Sequence, residues 1–87
     1  MSDADNVTPV SSVRAGQRAR VVAVKGGLGR QTRLASMGVA AGVTVRVVHN
    51  VFRGPIILEV RGARLALGRG LAAAIEVRPI RASAEGT

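Results

Sequence analysis

The stretch VTVRVVHNV, residues 43–51, sets Val43, Val45, Val47 and Val51 on one side of an extended backbone and Thr44 and Arg46 on the other. Strand side chains alternate between faces, so this pattern predicts a half-buried β-strand. Phe52 is the single aromatic residue among 87, although 47% of the chain is apolar. The core must therefore be aliphatic, built mainly from Val, Leu, Ile and Ala, and its β-branched members favour strands over helices. A chain of this length forms one domain, with little more core than is needed to offset chain entropy.

Four further segments read as strands. RARVVAV (18–24) is rich in β-branched residues and follows Gly16. IILEVRG alternates Ile56, Leu58 and Val60 with Ile57, Glu59 and Arg61, after a turn at RGP (53–55). A tight turn at Arg61, Gly62 and Ala63 leads into RLAL, whose Leu65 and Leu67 face inward, and IEVRP (75–79) buries Ile75 and Val77. Between the first two strands, KGGLG (25–29) is a loop and Arg30 to Met37 suit a helix, with Gly38 placed to end it in a left-handed conformation. So short a helix is marginal in water, which means Leu34 and Met37 must dock on the sheet. GRGLAAA (68–74) supplies about one helical turn before the last strand. The sum is a mainly β, small five-stranded barrel, its edges removed by closure and one open end plugged by the short helix. Residues 1–12 are expected to be a flexible N-terminal arm, 13–80 the barrel, and 81–87 a flexible tail.

Several chemistries lack their residues. Without cysteine there are no disulfides, thiolate metal sites or cysteine nucleophiles, a composition compatible with a reducing cytoplasm. No Ser-His-Asp set is evident, and KGGLG lacks the Gly-Lys-Ser/Thr ending of a phosphate loop, so no catalytic residues are assigned and an enzyme is not expected. One histidine and few carboxylates do not make a transition-metal site, and His49 is expected at the barrel rim rather than as a ligand; no cofactor is assigned. The N-terminus has no secretory signature and no apolar run reaches membrane-spanning length, so a soluble domain is expected.

The charge is the remaining signal. Thirteen basic residues against five acidic ones give +8, which suits nucleic acid or another polyanion. Twelve of the thirteen are arginine, and with abundant Ala and Gly this is equally the composition of a GC-rich genome. The basic residues are scattered, no two adjacent, and the lone Phe52 argues against a base-stacking platform.

The segments RAGQRARVVAV, RLASMG, AGVTVRVV and GPIILEVRGARLALGRGLAAAIEV, together spanning about residues 13–79, resemble the FeoA family. Arg33-Leu34 followed by Met37-Gly38 and Gly42, and Leu67-Gly68 with Ala72, Ile75 and Val77, carry the likeness in order and spacing. Ala41 and Gly70 depart from it, standing where the family often has proline and a better helix former. The resemblance implies an SH3-like barrel that is a cytoplasmic, non-enzymatic accessory of ferrous iron uptake. It further implies binding to the cytoplasmic part of the membrane transporter FeoB; the basic charge of the chain would suit recruitment to the anionic inner face of the membrane beside such a partner. Self-association is a further expectation for a small barrel with an uncovered edge, and a basic nucleic-acid-binding barrel is the alternative. Large residues on insertions rather than on the barrel wall are the expected partner-binding positions: Arg30, Arg33 and Met37 on the helix, Phe52 and Arg53 in the turn.

Overall fold

The five expected strands all form, and a sixth joins them. The computed structural model describes residues 6–80. Its elements are β1 (Thr8–Pro9), β2 (Arg18–Val24), α1 (Leu28–Ser36), β3 (Thr44–Asn50), β4 (Ile56–Val60), β5 (Ala63–Leu67), α2 (Arg69–Ala73) and β6 (Ile75–Ile80), with a single 3₁₀ turn, Val10–Ser12, after β1. All pairings are antiparallel, in the order β1-β6-β2-β3-β4-β5. The architecture is mainly β and SH3-like. No helix among the described residues is long and apolar enough to cross a membrane.

Closure is achieved differently from the expected barrel. β1 and β5 end the sheet without pairing to each other. The gap is spanned instead by the 3₁₀ turn packed against α2, where Val10 and Ala72 are both fully buried. Two β-bulges, at Val22 against β6 and at Val48 against β4, increase the curl that brings the sheet ends toward each other. This also corrects the arm expected over residues 1–12: Thr8 and Pro9 pair with Val77 and Glu76, and Val10 enters the core because the sheet gap offers it an apolar site. Residues 1–5 and the expected tail, 81–87, lie outside the described residues.

Inward positions follow the alternation where register is regular. Ile56, Leu58 and Val60 are buried on β4, Val45 and Val47 on β3, and Ile75 and Val77 on β6. The bulge at Val48 breaks the series: His49 pairs with Ile57 and Asn50 with the buried Ile56, so Asn50, not Val51, takes the next inward place. Val51 is consequently left 45% exposed, against the expectation that it shares the core face. His49 sits exposed on the outer side of the same strand. Leu65 is half-buried, whereas Leu67 is buried.

The β4–β5 hairpin turns on Arg61 and Gly62, both with positive φ (52° and 84°), between the paired residues Val60 and Ala63. Positive φ at both central positions marks a type I′ turn, whose twist matches that of the strands it joins.

Candidate interaction surface

α1 begins two residues earlier than the composition suggests, at Leu28, and its two ends are held very differently. At its C-terminus Met37 is the cap and Gly38 has φ 91°. The Gly38 N–H donates to the Ala35 carbonyl and the Val39 N–H to the Leu34 carbonyl, both at 2.9 Å. This is the Schellman arrangement, and its accompanying apolar contact is supplied by Leu34 and Val39, both fully buried. Burying Leu34 stabilises the fold by about 1.5–3 kcal/mol. Met37, expected to dock beside Leu34, packs against the core yet stays half-exposed, because the cap turns the backbone before its side chain is covered.

At its N-terminus nothing equivalent is present. Gly27 caps without a side-chain bond and no acidic residue stands in the first turn, so the exposed amides and the helix dipole go unanswered. Leu28 is 76% exposed. One tie links this end to the sheet: Gln31 Nε2 donates to the Val24 carbonyl at 3.2 Å.

Between this loosely held end and β2 runs a mainly apolar groove of about 460 Å³, bounded by Val22, Ala23 and Val24 on one side and by Leu28, Ala35 and Val39 on the other. Val22, the bulged residue of β2, is among the residues that line it. An apolar concavity with an uncovered leucine at its mouth suits insertion of apolar side chains from a partner.

The five residues singled out in the sequence divide into two groups. Arg30 and Arg33 are exposed on α1, and Arg30 lies back over Gly26, while Met37 closes the same helix. Gly38 abuts Val60, so the end of α1 reaches the Val60 end of β4. Phe52 and Arg53 belong to the loop leading into Ile56, at the opposite end of that strand. The two groups do not converge on one patch. Phe52 is 87% exposed, with the Arg53 guanidinium carbon 5.8 Å from its ring centre.

That loop is fixed by two residues the sequence does not single out. Asn50 Nδ2 donates to the carbonyls of Val13 (2.7 Å) and Ser11 (3.1 Å). Arg69 donates from Nη2 to Asn50 Oδ1 (2.9 Å) and from Nη1 to the carbonyls of Val51 (2.8 Å) and Gly54 (3.1 Å). The guanidinium thus joins the 3₁₀ turn, the end of β3, the loop and α2. Among the described residues no three His, Asp or Glu side chains come together in a metal-ligating group.

Residues 8–79 match the FeoA domain family. A relative from Methanocaldococcus jannaschii, named "Putative Fe(2+) transport protein A", is 36% identical over 69 residues, covering 79% of this chain and 83% of its own. Among solved structures, the crystal structure of an iron uptake regulatory protein (FeoA) superposes with TM-score 0.79 at 39% identity, over 86% of this chain and 99% of that one. The solution structure of a FeoA protein from Chlorobium tepidum gives TM-score 0.77 at 27% identity, over 85% and 71%.

Proposed function

Since this chain belongs to the FeoA domain family, we propose that it is a non-enzymatic accessory of ferrous iron transport that binds the cytoplasmic part of a FeoB-type transporter through the groove between α1 and β2. The observation that carries the reading is Leu28, a large aliphatic side chain 76% exposed at the mouth of an apolar groove. An apolar residue in that setting gains by being covered, at about 25 cal/mol for each Å² removed from water. Arg30 and Arg33 are exposed on the same helix but are not among the residues that line the groove, whose α1 side is formed by Leu28, Gln31, Thr32 and Ala35.

The fold supplies what such a module needs. Leu34 and the Schellman cap hold α1 to the core, while the free N-terminal turn can adjust to what enters the groove. Any influence on the transporter then arises from unequal affinity for its conformational states.

The test is equilibrium binding of the purified chain to detergent-solubilised FeoB. Leu28→Asp is expected to weaken binding about tenfold or more, the range of a central interface residue, with the melting temperature preserved. Undiminished affinity in that variant would overturn the groove assignment. Absence of any binding by the wild-type chain would overturn the partner.

A further inference from the structure

We propose that the outer face of the sheet is a docking surface for anionic phospholipid headgroups. Strand register builds this face from arginines that are scattered in the sequence. Arg18 and Arg20, two apart on β2, point to the same side. Arg18 lies directly opposite Arg46 of β3, and Arg20 directly opposite Arg78 of β6. All four are exposed, on the side away from the buried Ala19, Val21, Val45 and Val77. Like charges facing each other across antiparallel strands destabilise a sheet unless a counter-charge covers them.

The two carboxylates on this side leave the Arg20–Arg78 pair without a counter-charge. Glu59 is 4.0 Å from Arg46, and Glu76 is taken by Lys25 at 3.0 Å. Among the described residues Arg20 and Arg78 have no carboxylate within ion-pair distance. The face therefore presents guanidinium groups, whose planar fork matches phosphate oxygens, to an anionic surface.

The chain's one aromatic residue favours lipid over nucleic acid as the source of those phosphates. Phe52 is the chain's one ring and its cation–π contact is with Arg53, not with the four sheet arginines, so successive single-stranded bases lack a series of rings to stack on. β3, which carries Arg46, runs on into the loop where Phe52 stands 87% exposed beside Arg53. A ring next to a guanidinium suits the boundary between headgroups and acyl chains, where the ring is buried and the cation stays with the phosphates. Arg69 holds this loop through the carbonyls of Val51 and Gly54, which fixes the backbone on either side of Phe52.

The experiment is co-sedimentation of the full chain with phosphatidylcholine vesicles, with or without one-third phosphatidylglycerol, at low and physiological salt. The wild-type chain is expected to bind only the anionic vesicles, less tightly at higher salt. Arg20→Gln should weaken binding about fivefold, and the triple change Arg20→Gln, Arg46→Gln, Arg78→Gln on the order of 100-fold. Circular dichroism melting checks that each variant stays folded. A folded triple variant that binds anionic vesicles as well as wild type would overturn the proposal. So would a wild-type chain that ignores those vesicles while shifting a DNA duplex or a structured RNA at the same salt. The vesicles contain no protein, so either result leaves the transporter proposal to its own test.

Discussion

The two ends of α1, one helix of nine residues, are opposites. The C-terminal end combines a positive-φ glycine, two capping backbone bonds and a leucine with no exposed surface. The N-terminal end has no side-chain cap and no acidic residue, and it leaves a leucine in solvent. One end is spent on stability and the other is left available. In so small a domain, whose whole stability is of order 5–15 kcal/mol, both demands cannot fall on the same residues. The contrast explains why a short helix is inserted and stopped at once: it anchors at its stop and offers its start.

Substitutions along the helix should reproduce the gradient. Leu34→Asp should abolish the cooperative thermal transition by placing a carboxylate where no water reaches. The milder Leu34→Ala should cost about 2–5 kcal/mol in urea unfolding. Retention of the wild-type midpoint in either variant would erase the distinction between the two ends. Gly38→Ala should cost about 1–2 kcal/mol, the left-handed backbone penalty. An added Cβ there would meet Val60 at an ordinary 3.5 Å, so sterics contribute little. Gln31→Ala, which removes an exposed tie to Val24, should cost about 0.5 kcal/mol. Leu28→Ser should change stability by no more than about 0.5 kcal/mol. A much larger loss at Leu28 than at Gly38 would reverse the contrast.

Legibility in the sequence follows the same division. The stop was readable because Leu34, Met37 and Gly38 combine helical spacing with a glycine that can take positive φ, and the strands were readable because valines and leucines recur at every second position. Both signals are local and periodic. The bulges at Val22 and Val48 are not, since they consist of one extra residue that no composition marks. One of them displaced Val51 from the core and admitted Asn50. Asn50 and Arg69 then act through partners distant in sequence, such as Ser11 and Val13, which leave no periodic trace. The arginine face was hidden for a related reason: Arg18 and Arg46, or Arg20 and Arg78, become neighbours only once register is known. Large residues on insertions are the partner-binding positions the sequence suggests, but residue size and loop placement carry no sign that the end of α1 and the β3–β4 loop lie at opposite ends of β4.

Backbone hydrogen exchange of the chain, with and without solubilised FeoB, tests the central claim most directly. Groove binding predicts that the partner slows exchange in residues 22–24 and 28–35 and leaves that of residues 51–55 unchanged. Slowing confined to residues 51–55, with none along α1 or β2, would contradict it.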